Sequence, residues 1–192
     1  MSFDALSQER LDSLEGKVVT LLVDGRMTNK TLARGLILNA THRRRFCTVL
    51  DIDGLYSSNS DFIFGPLSEE EANTVELLVP EPGSDLRVET AQALSLCRSQ
   101  VVIVDSLNSL FHLLPARGRG WRSRNLAFVL AFFSYLARTG GKTVIITKYR
   151  RAVEGKVPVT DRSDYLFSVT LNENIMSLKE EKTTAVPASL PG

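Results

Sequence analysis

Lys30 and Thr31 follow an apolar run, Val18 to Val23, through a turn-rich stretch into a helical pattern. An ammonium followed by a hydroxyl at the mouth of a helix is suited to nucleotide phosphates and to Mg²⁺ respectively. Two acids stand in matching places on other apolar runs. Asp105 closes Val101 to Val104, where a carboxylate can hold a metal's water shell. Asp53 follows the run from Phe46 to Ile52, where it can act as a base that orients an attacking water. Asp24, Gly25, Arg26, Met27, Thr28, Asn29, Lys30 and Thr31 therefore form the candidate nucleotide-binding segment. Thr31 and Asp105 are the candidate Mg²⁺ ligands, and Asp53 is the candidate catalytic residue. The chemistry is incomplete. A phosphate-binding loop reads G-x-x-x-x-G-K-[ST], and here Asp24 and Asn29 occupy the two glycine positions. Those side chains restrict the backbone conformations that glycine allows, and the Asp24 carboxylate repels phosphate.

A second set is basic. Arg117, Arg119, Arg122 and Arg124 surround Trp121 within eight residues. Guanidinium groups neutralise phosphates, and an indole can stack on an unpaired base. Lys148, Arg150 and Arg151 open a second basic stretch that continues to Lys156 and Arg162. These residues are candidates for single-stranded DNA. His42 to Arg45 reads as a solvated turn favoured by the helix dipole, and His112 as a packed side chain. No nucleophile, histidine and acid combine as a catalytic set. Asp51, Asp53 and Asp105 could hold Mg²⁺ without nucleotide, as in a nuclease, which ranks third.

Strands alternating with helices must position these groups. Val18 to Val23, Phe46 to Ile52, Val75 to Val79, Val101 to Asp105 and Val144 to Thr147 read as strands, several of them buried on both faces. Thr31 to Ala40, Leu86 to Arg98 and Asn125 to Arg138 read as helices. The last is apolar nearly all round and is expected to be buried. Residues 54–74 read as polar and irregular, with Glu69-Glu70-Glu71 capping a short helix or facing solvent on it. Tyr165 to Leu171 and Ile175 to Leu178 read as weaker strands, antiparallel at the C-terminal edge. This order predicts an α/β fold with a mostly parallel central sheet flanked by helices. The loops after Val23, Ile52 and Val104 then gather at the carboxyl ends of the strands, where such sheets bind ligands.

The 192 residues suit one domain, 1–182, with a lead-in helix over 1–15 and a disordered tail over 183–192. A net charge of +1 excludes global attraction to nucleic acid, so any basic site is local. Cys47 and Cys97 lack metal-ligand spacing and read as core thiols of a reducing compartment. The polar, acidic start reads as no signal peptide, and no apolar run approaches the ~20 residues of a membrane span. A cytoplasmic protein is expected, or a nuclear one in a eukaryote, without a membrane partner.

The blocks together resemble the RecA/RadA recombinase superfamily, in particular the ATPase core of RadA-type recombinases and their paralogues. Glu15-Gly16-Lys17-Val18-Val19-Thr20 resembles the family's G-x-I/V-T-E entry into the first strand, and Leu50-Asp51-Ile52-Asp53-Gly54 its I-D-T-E-G-x-F, whose Glu is the catalytic acid. Val102-Ile103-Val104-Asp105-Ser106-Leu107-Asn108-Ser109 is similar to its L-I-V-D-S-L-T-S-x-F Walker B strand. Gly118-Arg119-Gly120-Trp121 resembles the start of its first DNA-facing loop, and Val144-Ile145-Ile146-Thr147-Lys148-Tyr149 its V-x-V-T-N-Q strand. The resemblance spans roughly residues 15–180. It implies a RecA-like P-loop NTPase core with a degenerate Walker A. Asp53 is a methylene shorter than the family Glu, and Lys148-Tyr149 replaces the Asn-Gln that senses the γ-phosphate.

The implied function is that of an accessory factor in DNA recombination and repair, binding single-stranded DNA or a recombinase partner. The alternative is a divergent but active DNA-dependent ATPase, and the third reading a structural pseudo-ATPase subunit of a RecA-like oligomer. No cofactor is required on the first reading; ATP with Mg²⁺ serves the second. The implied partners are single-stranded DNA, a RecA/RadA-type recombinase or paralogue subunit, and further copies of the chain.

Overall fold

Apolar runs become strands, the central ones burying both faces, and helices of amphipathic or apolar pattern supply the covering layers. The computed structural model describes residues 13–80, 85–114, 120–150, 163–173 and 175–181. Residues 1–12 of the expected lead-in helix, Arg117, Arg119, Arg151, Lys156, Arg162 and the tail from 183 lie outside the described residues. The strands are β1 (Val18–Val23), β2 (Cys47–Asp51), β3 (Val75–Leu78), β4 (Val101–Asp105), β5 (Thr143–Tyr149), β6 (Tyr165–Asn172) and β7 (Ile175–Glu180). They form one sheet in the order β3-β2-β4-β5-β1-β6-β7. All neighbours pair in parallel except β6 with β7, which makes an antiparallel edge. The strand β6 itself runs parallel to β1.

The helices are α1 (Arg26–His42), α2 (Ser60–Phe64), α3 (Glu69–Ala72), α4 (Leu86–Leu96), α5 (Leu107–Leu113) and α6 (Trp121–Gly140). Strand residues alternate between two cores with a period of two. Val19, Leu21, Val49, Ile103 and Ile145 pack with Leu32, Leu36 and Ile37 of α1 and Ile63 of α2. Val18, Leu50, Val102, Val104, Val144 and Ile146 pack with Leu94 of α4, Leu107 and Leu110 of α5, and Phe133 of α6. Helices therefore cover both faces, and the loops after β1, β2, β4 and β5 meet at one rim.

Several elements differ from their sequence reading, each for a physical reason. The helix α1 begins at Arg26, directly after Gly25, whose backbone is extended; the expected start was Thr31. Residues 54–74 contain α2 in addition to the short helix expected at Glu69-Glu70-Glu71, which is α3. The four-residue α3 is held by a capping box, in which the Ser68 hydroxyl accepts from Glu71 N–H while the Glu71 carboxylate accepts from Ser68 N–H. A short helix unforeseen in the sequence, α5, starts with Ser106 as its cap, and it leaves His112 exposed where packing was expected. The helix α6 starts four residues earlier than its apolar pattern. It is not buried all round, since Phe128 is 61% and Tyr135 63% exposed.

Candidate site at the carboxyl ends of the strands

Asp105 ends β4 fully buried, at 0% exposure. The first turn of α1 lies over it and delivers Asn29, also 0% exposed. The Asn29 Nδ2 donates to Asp105 Oδ1 at 2.8 Å and to the Tyr149 hydroxyl at 3.0 Å. The Thr147 hydroxyl donates to the same Asp105 Oδ1 at 2.5 Å. The ends of two strands, β4 and β5, and a helix turn are thus tied together around one carboxylate oxygen. The other oxygen, Asp105 Oδ2, and the Asn29 side-chain oxygen Oδ1 are buried without a hydrogen-bond partner. Burial pushes the Asp105 carboxyl up to about 6, against the lowering effect of the Thr147 and Asn29 hydrogen bonds. The neighbouring acids Asp53 and Asp51 raise it further.

The surrounding backbone is fastened to this cluster. Ile52 and Asp53 N–H donate to the Asp105 carbonyl at 2.8 and 3.2 Å. The Asn108 side-chain oxygen accepts from Tyr149 N–H at 2.9 Å, joining α5 to β5. Asp51, an acid at a strand end, serves the turn that follows. Its oxygens accept from Tyr56 and Ser57 N–H at 3.2 and 2.8 Å.

The expected nucleotide-binding residues divide. Asn29 joins Asp105, and Thr28 is buried beside it, but Arg26 and Met27 are exposed. Lys30 does not approach Asp105 or Asp53 through any bond; its ammonium lies 4.5 Å from the Phe62 ring centre, and the Arg34 guanidinium shares that ring at 4.9 Å. The Thr31 hydroxyl donates to the Met27 carbonyl at 3.1 Å, within its own helix. Asp24 lies 3.8 Å from the Arg150 guanidinium. A Mg–nucleotide complex of the expected kind does not fit this arrangement. The segment that would wrap a phosphate is the first turn of α1, Thr31 is turned to its own backbone, and Asp105 Oδ1 already accepts two hydrogen bonds. Among the described residues no group of three or more His, Cys, Asp or Glu is arranged to hold a metal ion, Asp51, Asp53 and Asp105 included.

Trp121, Arg122, Arg124 and Lys148 lie on the α5 and α6 side. Trp121 opens α6, 37% exposed. Arg122 is half-buried, with its Nε donating to the Leu114 carbonyl at 3.3 Å, and Arg124 is exposed. Lys148 shares the strand parity of Val144 and Ile146, which face α6. Arg150 is engaged elsewhere: it bonds the Ser168 hydroxyl and donates to Glu181 at 2.8 Å.

The sequence reading did not single out Thr147 as a site residue, and it took Tyr149 only as a replacement. Their signal was available, since both sit at the end of an apolar strand that a parallel sheet sets beside β4. Among the described residues no helix is long and apolar enough to cross a membrane. Comparison with models of known protein families gives no match for this chain, and comparison with curated protein sequences gives no significant match.

Proposed function

We propose that the chain is a non-hydrolysing paralogue of the RecA/RadA type, with a RecA-like core and a degenerate Walker A, that acts as an accessory factor in DNA recombination and repair. It engages single-stranded DNA, or a recombinase partner, from the rim beside α6. The observation that carries this reading is the Asn29–Asp105 bond. The residue at the second glycine position of the phosphate loop instead occupies the acid at the end of β4, so the frame of a nucleotide site supports a closed polar cluster. The parallel sheet with Asp105 and Asp53 on adjacent strand ends supports the frame. Trp121, Arg122, Arg124 and Lys148 on one side of that rim support the nucleic-acid contact.

The alternative, a divergent DNA-dependent ATPase, requires Lys30 to leave Phe62 and Thr31 to release Met27. The third reading, a structural pseudo-ATPase subunit, needs no basic rim. Fluorescence anisotropy of a labelled single-stranded oligonucleotide over a salt series tests the proposal. Three phosphate contacts predict a log–log salt slope of roughly −2, reduced by about 1.4 in Arg122→Ala/Arg124→Ala. A flat salt dependence, or unchanged affinity in that double variant, refutes DNA binding. Saturable binding of a labelled ATP analogue that Lys30→Ala abolishes would favour the ATPase.

A further inference from the structure

The outer side of α6 carries Trp121, Phe128 and Tyr135, spaced by seven residues and therefore on one face of the helix. They are 37, 61 and 63% exposed. Beside them, Val88 of α4 is 50% exposed. Between the two helices lies an open groove of about 530 Å³ lined by Arg87, Val88, Ala91, Trp121, Arg124 and Phe128, mostly apolar. Three large aromatic side chains in line on one helix exceed the scattered apolar exposure of a monomer.

We propose that a second copy of the chain covers this face, with the two α6 helices antiparallel across a two-fold axis at Phe128. The stripe is symmetric about its middle: Trp121 and Tyr135 stand seven residues to either side of Phe128. An isologous contact requires that each residue meet a partner that meets it in return. With Phe128 on the axis, Tyr135 of each copy meets Trp121 of the other and enters the groove beside Val88.

Charge selects the same orientation. The first turn of α6 holds Arg122 and Arg124 and no acid, which is unfavourable at the positive end of a helix dipole. Antiparallel pairing moves these arginines toward the partner's C-terminal half and sets opposed dipoles side by side. Arg138, near that end, is 3.7 Å from Asp164 and so already has a counter-ion.

The area sets the strength. Aromatic side chains bury roughly 150–250 Å² each, so the exposed parts of the three rings give roughly 700 Å² for the pair. Standard interfaces total roughly 1,200–2,000 Å². Val88, Arg124 and the groove walls supply more, which puts the contact at the low end of that range and makes the expected dimer weak and reversible. The pairing needs no nucleic acid, and because it covers Trp121 and Arg124 it competes with the single-stranded DNA contact proposed above.

Sedimentation velocity on the full chain without nucleic acid, from about 1 to 200 µM, tests it. The expected result is a reversible monomer–dimer exchange that Phe128→Asp weakens at least tenfold, with an unchanged circular dichroism spectrum. Phe128→Cys should give a covalent dimer on mild oxidation, while Ile175→Cys, 69% exposed on β7 at the antiparallel edge of the sheet, should not. A monomer at every concentration, assembly beyond two copies, a dimer that Phe128→Asp leaves intact, or equal cross-linking at both positions would overturn the proposal.

Discussion

Replacing Asp105 by asparagine isolates the cost of burying one carboxylate at a rim that keeps it charged. Its carboxyl is raised from 3.8 to about 6, chiefly by desolvation. A group raised on folding lends its stability below its unfolded value, near 3.8, and loses it as pH climbs through about 6. Two units correspond to about 3 kcal/mol of penalty at pH 8, falling to roughly half of that at pH 5. Asparagine keeps the shape and the acceptor for Asn29 and Thr147 but carries no charge. Its new Nδ2 replaces an oxygen that has no partner now, and that cost does not vary with pH. The difference in stability between Asp105→Asn and wild type should therefore shift in the variant's favour by about 1.5 kcal/mol from pH 5 to pH 8. Thermal unfolding followed by circular dichroism at both pH values would read this as roughly 3–6 °C in Tm. An equal Tm difference at the two pH values would refute the reasoning.

Asn29→Asp sets a second carboxylate 2.8 Å from the first and should destabilise the fold by about 3 kcal/mol or more at pH 8. Much of that loss should return at pH 5, as denaturant midpoints would show. Cys47 is buried, with its thiol pushed up to about 12 by burial, whereas Cys97 is half-exposed. A thiol-reactive dye at pH 8 should label Cys97 quickly and Cys47 only at the rate of unfolding; fast labelling of both would contradict the packing. Gly141 caps α6 with φ +61°, so Gly141→Ala should cost about 1 kcal/mol in urea unfolding, and no cost would place the helix end elsewhere.

The sheet was legible in the sequence because β1, β2, β4 and β5 bury both faces and read as unbroken apolar runs. Asp105 was legible for the same reason, as an acid closing such a run. The start of α1 was not. Asp24-Gly25 is a turn signal, and Arg26 to Asn29 lack an apolar stripe, so nothing local separates a loop from a polar first turn that tertiary contacts hold. Asn29 was therefore read by its spacing to Lys30 and not by its reach to β4. The exposed side of α6 was hidden for the converse reason: apolar periodicity reports which faces avoid water and does not say whether the chain's own core is what covers them. Lys30 shows a further limit, since its partner Phe62 comes from a stretch that read as irregular.

The placement of β1 inside the sheet bears on how the chain is made. Val19 pairs with Ile145 on one side and Tyr165 on the other, so both of its neighbours are translated roughly 120 residues or more after it. At ~5–20 residues per second, the first strand waits on the order of 6–25 s on the ribosome before either edge can be paired. In that interval β2, β3 and β4, which neighbour one another, can assemble without it. The most apolar segment of the N-terminal half thus spends the longest time unpaired. During synthesis Val18–Val23 is the stretch of this protein most in need of a chaperone.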